Sequence, residues 1–427
     1  MSCRAGLRAG PVTRDFQRPR FPSNGLLNHE WHTFLSADRW CVIQQYSPHR
    51  TGVGIVGSGY IAKGLVRALE NQPDFQVTRV LTRTDRTGRT DFPRPDLLTG
   101  SVEDLLADSE IVVVSTGDVI YGTAVVDQVL KARLPVVTMD AELQLATGSY
   151  FATKGYFTEA EGDQPGCLAA MKEDAEQMGF EPLVYGNIKG FLNHNPLPAE
   201  MQYWADKNGQ RFDSTIAMTD GTKVQIEQAF VANAFGAGIL QTGLTGMNTD
   251  DLNGASADLA ARARALGTPV SDYILSPVHG GGIFLVCGHN PEAEDFLRYY
   301  KMGDGPFYTL ARNYHLSHLE IAKTLRRAIR GDPVLMNNGP HPTISAASVA
   351  KRDFSPGDRI EKGTGSFDAR GIAVRIREYP DHVPVGLLAD AVVTRAVRAG
   401  EIITFDQVEL PPSLALAIWE KGRPAIR

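Results

Sequence analysis

The segment with the clearest chemical meaning is a glycine turn between an apolar run and an amphipathic stretch. It reads Gly-Val-Gly-Ile-Val-Gly-Ser-Gly-Tyr-Ile-Ala over residues 52–62. Glycine at 57 permits a tight turn after a strand, glycine at 59 lets a pyrophosphate approach the backbone, and a small residue at 62 lets the next helix pack closely. The helix amides then face the phosphates. We therefore predict a dinucleotide site formed by Gly57, Ser58, Gly59, Tyr60, Ile61 and Ala62.

The flanking residues favour this interpretation over a glycine turn without a ligand. The helical stretch carries apolar residues at Ile61, Leu65 and Leu69, and a strand-like run follows from Phe75 to Leu81. Further buried-strand patterns at 111–115 and 134–138 enclose a helical stretch at 124–132. The alternation predicts an α/β Rossmann domain with a parallel sheet over residues 51–145.

The end of the second strand discriminates between NAD and NADP, because an acidic residue there would bond the ribose hydroxyls of NAD. This chain has Thr82 and Arg83 at that place, and Asp85 comes slightly late. Four arginines, at 79, 83, 86 and 89, offer positive charge for a 2'-phosphate. We predict NADP, with NAD left open, since the arginines could also form a solvated loop.

Ligands of such sheets lie at the carboxyl ends of the strands. Ser115 and Thr116 follow one strand and are predicted to contact the cofactor. Asp140 and Glu142 follow the next strand, so their loop should face the nicotinamide. A solvated loop or a cap on the following helix is the alternative interpretation of this acidic pair.

Two lysines are candidates for the chemistry. Asp220 and Lys223 lie about one turn apart near a predicted helix start, and a desolvated lysine can bond a carbonyl and supply its proton. We predict that Asp220 holds Lys223, against the alternative of a surface ion pair. Lys189, in a Gly-Asn-Ile-Lys-Gly turn, is predicted to bind an anionic group of the substrate. His315 and His318 have helical spacing, but capping and packing are favoured over zinc binding.

The composition of the chain limits the classes of partner that it can bind. The chain has 43 Lys+Arg against 49 Asp+Glu and a net charge of -6, so no basic surface for nucleic acid is indicated. Its four cysteines lack metal or disulfide spacing, and no apolar run has the length of a membrane span. We expect a cytoplasmic protein with a small-molecule substrate, no nucleic acid or membrane partner, and a homo-oligomeric state.

The remaining chain divides into three parts by its pattern. Residues 1–50 read as a partly disordered N-terminal extension. Residues 146–340 mix helical stretches, 222–237 and 255–266, with strand-like runs at 214–218 and 282–287, and form the predicted α+β substrate domain. Residues 341–427 are predicted to be a small β-rich domain. It contains two copies of Arg-x-apolar-x-x-Gly-acid-x-Ile, at 352–360 and 395–403, in which the glycine suits a turn with positive φ.

The last copy, followed by Thr404-Phe405-Asp406-Gln407-Val408, resembles a SAF domain, the β-clip module of sialic acid synthases and sugar-acid dehydratases. Together with the Rossmann start, residues 50–420 resemble the homoserine-dehydrogenase-like oxidoreductases that carry such a domain. This group includes an enzyme similar to 1-deoxy-D-xylulose 5-phosphate reductoisomerase.

The resemblance has two implications for the site. Homoserine dehydrogenases have a lysine where this chain has Ala141, so homoserine itself is disfavoured as substrate. Asp140-x-Glu142 instead resembles the metal-binding turn of the reductoisomerases, which implies Mg²⁺ or Mn²⁺ at these two carboxylates.

The prediction is an NADP(H)-dependent oxidoreductase that acts on a small polyhydroxylated or phosphorylated carbonyl compound and resembles a reductoisomerase. One alternative is a homoserine or sugar-acid dehydrogenase that catalyses no rearrangement. The other is an NADP-binding sensor or scaffold without turnover.

Overall fold

The computed structural model describes residues 49–426, with side chains as far as 422. The predicted extension over residues 1–50 therefore lies outside the described part, apart from its last two residues. Within the described part, no helix is long and apolar enough to cross a membrane.

The first sheet is parallel and has six strands in the order β3-β2-β1-β4-β5-β6. The strands are β1 (Thr51–Val56), β2 (Phe75–Leu81), β3 (Leu98–Thr99), β4 (Ile111–Val114), β5 (Val136–Thr138) and β6 (Phe157–Glu159). The helices between them are α1 (Tyr60–Glu70), α2 (Val102–Asp108), α3 (Val119–Lys131), α4 (Ala141–Leu143) and α5 (Ser149–Phe151), with a π-helical turn over Gln144–Gly148. The Rossmann prediction is confirmed, but β6 lies beyond its predicted end at residue 145.

Apolar side chains fill both faces of this sheet, as expected for parallel strands. On one face α1 packs together with a later helix, through residues such as Leu65 and Leu325. On the other face α3 and α5 pack through residues such as Val126 and Phe151. The strands are therefore fixed from both sides, and the loops at their carboxyl ends are held in one row.

The second sheet is mixed, with the strand order β11-β10-β7-β9-β8. Its strands are β7 (Glu181–Lys189), β8 (Met247–Asn248), β9 (Val270–Leu275), β10 (Ile283–Gly288) and β11 (Tyr308–Arg312). The helices are α6 (Gln164–Gln177), α7 (Pro198–Asn208), α8 (Phe212–Thr219), α9 (Thr222–Phe235), α10 (Leu252–Leu266), α11 (Glu294–Tyr299) and α12 (Ile321–Ile329). Helices α6 and α9 cover one face, and α10 covers the other.

The predicted strand at 214–218 is wrong, because these residues lie in α8. Short apolar runs with β-branched residues do not distinguish a strand from a buried helix. Here Ile216 is buried, and the Thr215 hydroxyl donates to the Arg211 carbonyl one turn earlier, a bond that satisfies this polar group within the helix. The helix links α7 to α9, and thus leads into the segment that carries Lys223.

The C-terminal part forms two small antiparallel sheets, β12-β14 and β13-β15-β16. Its elements are β12 (Ile344–Ala350), β13 (Arg359–Lys362), β14 (Ala369–Arg375), β15 (Ala389–Val393), β16 (Val408–Glu409) and α13 (Leu414–Ile426). The β-rich character is as predicted, although α13 adds a helix that packs on α3.

The two sequence copies in this part face each other. Gly357 and Gly400 have φ values of +93° and +88°, so the predicted turns with positive φ are confirmed. The N–H of Gly357 donates to Val393 just before the second copy, and the N–H of Gly400 donates to Ala350 just before the first. This reciprocal pairing gives the two copies a pseudo-twofold relationship.

Candidate active site

The predicted cofactor residues meet at one edge of the first sheet. Strand β1 pairs with both β2 and β4, so the loops after Val56, Leu81 and Val114 are neighbours. A Cβ at Gly57, whose φ is +108°, would lie 2.6 Å from the Ser115 carbonyl oxygen, so only glycine fits there. A Cβ at Gly59 would meet nothing within 4 Å. The first glycine therefore shapes the turn, and the second leaves open space at the start of α1.

The start of α1 suits a phosphate. Gly59 is its N-cap, no side chain caps the helix, and its first turn has no acidic residue. The N-terminal amides and the positive end of the helix dipole are thus available to an anion. Beside this turn, the Ser58 and Thr82 hydroxyls lie 2.8 Å apart. Tyr60, at the first helical position, is half exposed.

The arginines predicted to bind a 2'-phosphate differ in their surroundings. Arg79 lies within β2 and pairs with Asp108, and Arg89 pairs with Asp91. Arg83 stands just after β2, next to Thr82. Its guanidinium lies 4.2 Å from the centre of the Tyr121 ring and 2.6 Å from a carboxylate oxygen of Asp118.

Thr116 belongs to a network at the end of β4. Its hydroxyl lies 3.3 Å from Asp140 Oδ2, which also accepts from the Gly117 N–H at 3.1 Å. The second oxygen of Asp140 accepts from the Leu143 N–H and caps α4. The alternative interpretation of Asp140, a helix cap, is therefore confirmed.

Glu142, two residues after Asp140, contacts the C-terminal part of the chain. It accepts a bond from the Thr364 hydroxyl, and a Cβ at Gly386 would lie 2.8 Å from its side chain. Burial, and secondarily the charge of Asp140, raise the pKa of Glu142 to about 8. A bound cation would demand two ionised carboxylates and further oxygen ligands. No group of three metal-ligating side chains that could hold an ion occurs over residues 49–422, so these residues do not fit the predicted Mg²⁺ or Mn²⁺ site.

The lysines predicted for catalysis share one carboxylate. Lys223 lies in the first turn of α9, and Lys189 ends β7. Their Nζ atoms lie 3.2 and 3.1 Å from the two carboxylate oxygens of Glu227. Lys223 Nζ also lies 3.5 Å from Asp163 Oδ1, at the N-cap of α6. The structure thus brings Lys189 and Lys223 together, through two acidic residues that the sequence analysis did not name.

The charges of this cluster stabilise one another. Burial alone would lower the pKa of Lys223, but Asp163 and Glu227 outweigh it and hold the pKa above its ordinary value. Burial would raise the pKa of Glu227, and the two lysines reverse the shift. Asn187 and Gln164 extend the cluster, since the Gln164 side-chain oxygen accepts from Asn187 at 2.8 Å and from Lys189 at 2.6 Å. Lys223 is consequently a charged donor in a preorganised setting.

Asp220 does not hold Lys223, and that part of the prediction is wrong. Its carboxylate pairs with Lys351 Nζ at 2.6 Å, and both side chains are almost fully buried. Its other oxygen accepts from the Thr222 N–H, at the start of α9. Asp220 ends α8 whereas Lys223 lies in α9, so the i, i+3 spacing of a single helix does not apply to this pair. Asp220 instead fixes the beginning of the helix that carries the lysine.

The two histidines point in different directions. The His315 Nδ1 donates to the Gly162 carbonyl at 3.0 Å, next to Asp163 in the chain. His318 packs against α1, edge-on to the Tyr60 ring, where Gly64 leaves room for the imidazole. His315 therefore lies beside the lysine cluster, and His318 lies against the cofactor-binding helix.

Residues 162–321 match the family described as oxidoreductase DRL, catalytic domain. The matched segment contains Asp163, Lys189, Lys223 and Glu227, and it follows a Rossmann sheet whose glycine turn is shaped for a dinucleotide. The chain is an NAD(P)-dependent oxidoreductase. No curated protein matches its sequence.

Several solved structures have a distant likeness to this chain. A myo-inositol dehydrogenase from Corynebacterium glutamicum has 12% identity and a TM-score of 0.39, covering 66% of this chain and 89% of its own. A dehydrogenase from Clostridium difficile has 13% identity and a TM-score of 0.38, with 68% and 94% covered. An NAD-binding protein from Listeria innocua has 12% identity and a TM-score of 0.34, with 68% and 90% covered.

The sequence carried a signal for one of the missed residues. Glu227 stands four positions after Lys223 within a predicted helix, the spacing of an ion pair on one face. Asp163 reaches the oxidoreductase's lysine only because α6 and α9 pack together, which no local pattern shows.

Proposed function

We propose that this oxidoreductase uses NADP(H) to reduce a carbonyl group of a small polyhydroxylated compound by direct hydride transfer, without skeletal rearrangement. The observation that carries the proposal is the charged Lys223 between Asp163 and Glu227. It lies in the segment that matches an oxidoreductase catalytic domain. Of the functions predicted from the sequence, the proposal thus favours the dehydrogenase without rearrangement.

Lys223 is the proposed proton donor. About two fifths of its side chain is exposed, so a substrate can reach the lysine while it contacts the two carboxylates. A bound nicotinamide would supply the hydride, and the Lys223 ammonium would give a proton to the carbonyl oxygen. The pKa of Lys223 is raised, so the amine stays protonated at neutral pH and has a proton to give.

Lys189 has a supporting role in this proposal. It is mostly buried, and its Nζ is occupied by Glu227 and Gln164. Its charge keeps Glu227 ionised, and Glu227 in turn orients Lys223. Binding of a substrate anion by Lys189 stays a prediction.

The preference for NADP rests on Arg83. This arginine follows β2, where a carboxylate would select NAD, and its guanidinium is exposed above the Tyr121 ring. Asp118 holds the guanidinium in place. A 2'-phosphate would compete for the same cation, and Arg offers enough N–H groups for both.

The reductoisomerase alternative differs in its requirement for a cation. It would need Asp140 and Glu142 as ligands, whereas one caps α4 and the other faces Thr364. We therefore expect activity to survive exhaustive chelation. Loss of turnover on chelation, with recovery on adding Mn²⁺, would favour the reductoisomerase.

A substrate panel tests the proposal. NADPH oxidation is followed by absorbance with 1-deoxy-D-xylulose 5-phosphate and a series of keto sugars and keto-sugar acids. Reduction of NADP is followed with homoserine and myo-inositol. The expected result is turnover of a polyhydroxylated compound that Lys223→Ala abolishes and Lys172→Ala, at a surface ion pair on α6, leaves intact. If NADPH binds but no compound turns over, the sensor or scaffold alternative is favoured.

The proposal also covers the partners, the localisation and the oligomeric state of the protein. The partner is a small molecule, and no nucleic acid or membrane takes part. We further propose that the protein is a cytoplasmic homo-oligomer. We also propose that its C-terminal module is of the SAF type, and the pseudo-twofold pair of turns in that module supports this assignment.

A further inference from the structure

The helix that carries Lys223 begins at a residue that cannot cap it with a side chain. The N-cap of α9 is Gly221, whose φ of +87° places it in the left-handed region. The first amide of the helix, that of Thr222, donates instead to the Asp220 carboxylate at 2.9 Å. Because the first amides of a helix have no partner inside it, the position of this end of α9 depends on groups outside the helix.

The C-terminal part of the chain supplies a cation to this end of α9. Lys351, which follows β12, donates from Nζ to the Asp220 carboxylate at 2.6 Å. The same Nζ donates to the Ser366 carbonyl, also at 2.6 Å, so the lysine is fixed within the C-terminal part. Asp220 is therefore held by the C-terminal part through one oxygen and holds the Thr222 amide through the other.

Strand β14 also contacts α9 directly, along the edge that does not pair with β12. The Gly371 N–H donates to the Thr222 hydroxyl at 3.0 Å, and the Ala373 N–H donates to the Gln225 side-chain oxygen at 2.8 Å. Edge strands present unpaired N–H groups, and here side chains of α9 accept two of them. Thr222 and Gln225 stand on either side of Lys223 in the chain, so β14 holds the helix around the lysine.

The strand and the helix approach closely because position 371 is a glycine. A Cβ there would lie 3.1 Å from the Thr222 methyl group and 3.1 Å from Val385. Both Gly371 and Thr222 are buried, so the hydrogen bond between them is shielded from water. Loss of the Thr222 hydroxyl would leave a buried N–H without an acceptor, which is unfavourable, and the helix start would shift to relieve it.

We propose that Thr222 and Gln225 are positioning residues for Lys223, and that the edge of β14 thereby sets the place of the proton donor. The inference rests on the proposed reduction, in which Lys223 protonates the carbonyl oxygen. Lys223 Nζ lies 3.5 Å from Asp163 Oδ1, at the N-cap of another helix. A shift of the helix start changes this distance, and a misplacement of about 1 Å can cost about 100-fold in rate.

The other end of α9 offers a comparison. Asn233 lies in the last turn of the helix, about three turns after Lys223. Its side chain donates to the Ile344 carbonyl at 2.8 Å and accepts from the Ile344 and Thr343 N–H groups, each at 2.9 Å. These bonds also join α9 to the C-terminal part. Bonds that only attach this part would act alike at both ends of α9, whereas the position of Lys223 depends on the first end.

Thr222→Val is the test variant, because valine keeps the branched shape but cannot accept the Gly371 N–H. With a compound that the wild type reduces, kcat should fall about 10- to 100-fold, while KM and NADPH affinity stay within about twofold. Thr222→Ser, which keeps the hydroxyl, should retain the turnover of the wild type. If Thr222→Val does not fold, Gln225→Met removes the acceptor of the Ala373 N–H and gives the same test.

Asn233→Ala is the matched control, because it breaks bonds between the same helix and the same part of the chain. It should lower the unfolding temperature at least as much as Thr222→Val, yet keep the kcat of the wild type.

A second measurement needs no substrate. The rate at which an acetylating reagent labels Lys223, followed by mass spectrometry, reports how firmly Asp163 and Glu227 hold its ammonium group. Only the neutral amine reacts, and a lysine that loses its carboxylate contacts gives up its proton more readily. Labelling should therefore be faster in Thr222→Val than in the wild type, and unchanged in Asn233→Ala.

Two results would overturn the positioning role. One is a Thr222→Val protein in which both kcat and the labelling of Lys223 equal those of the wild type. The other is an Asn233→Ala protein that loses as much turnover as Thr222→Val, which would show that the bonds only attach the C-terminal part. Failure of the proposed function is distinguishable, since Lys223→Ala would then turn over normally while the difference in labelling persists.

Discussion

Glu227 and Glu142 are both buried glutamates beside other acidic groups, yet their surroundings shift them in opposite directions. Glu227 lies between two lysines, and its pKa is lowered. Glu142 meets a threonine hydroxyl and the nearby Asp140, and its pKa rises to about 8. Because burial raises the pKa of both carboxyls, the charges of the neighbouring groups account for their opposite shifts. The first can support a proton donor, and the second mainly affects packing.

The largest expected effect concerns another buried acid with a lysine partner, Asp220, which pairs with Lys351. Lys351→Met leaves the Asp220 carboxylate buried without its cation, so the free energy of unfolding should fall by about 3–5 kcal/mol. Denaturant unfolding measures this loss. Adding Asp220→Asn to Lys351→Met should recover much of the stability, and an unchanged midpoint in the single variant would show that the pair is not needed.

Glu227→Gln should impair catalysis, because Glu227 is the carboxylate shared by Lys189 and Lys223. Without the carboxylate, Lys223 keeps only Asp163 as a counterion and loses one of its two orienting contacts. Turnover should fall about 100-fold, the lower range for an acid–base contribution. Cofactor affinity, measured by fluorescence of NADPH, should change little. A variant with wild-type turnover would contradict the role given to the cluster.

Glu142→Gln tests the second glutamate of the comparison, which accepts a hydrogen bond from a threonine hydroxyl. Its pKa is about 8 in the folded chain against 4.5 for an unperturbed glutamate. Its contribution to stability is therefore complete below about pH 4.5 and is lost as the pH rises through 8. Between these limits the free energy of unfolding of the wild type should fall by about 2 kcal/mol because of this group.

The measurement for Glu142 is thermal unfolding at pH 5 and pH 8. The wild type should be less stable at the higher pH, and Glu142→Gln should narrow the difference, since the amide does not titrate. Glu142→Gln should also keep turnover without added metal, as expected if the residue holds no cation.

Arg83→Asp should have the smallest effect on stability, because the ion pair between Arg83 and Asp118 is exposed. Such pairs contribute about 0–1 kcal/mol, so stability should hardly change. The ratio of kcat/KM for NADP over NAD should instead fall about 10-fold or more, since the cation facing the 2'-phosphate becomes a carboxylate. Arg86→Asp serves as a comparison, and an unchanged ratio in Arg83→Asp would refute the assignment of NADP.

The Rossmann part could be predicted from sequence because its signals are local. Gly57, Gly59 and the run from Phe75 to Leu81 each depend on neighbours within a few residues. The strand β2 has the predicted limits. The run at 214–218 was misassigned because alternation over five residues does not outweigh the packing of α8.

The active site was only half predictable, for a physical reason. Lys189 and Lys223 are recognisable by type, but their partner groups depend on contacts between distant elements. Asp220 pairs with a lysine 131 positions later, which no spacing rule could reveal.

The packing of α13 on α3 has a consequence for how the protein is made. Ala415 and Trp419 lie in one apolar cluster with Val119, so the last helix covers a surface of the first domain. During synthesis that surface leaves the ribosome long before α13 does. The nucleotide-binding domain therefore keeps an exposed apolar patch until α13 has been translated. We expect the domain to finish folding only after that point.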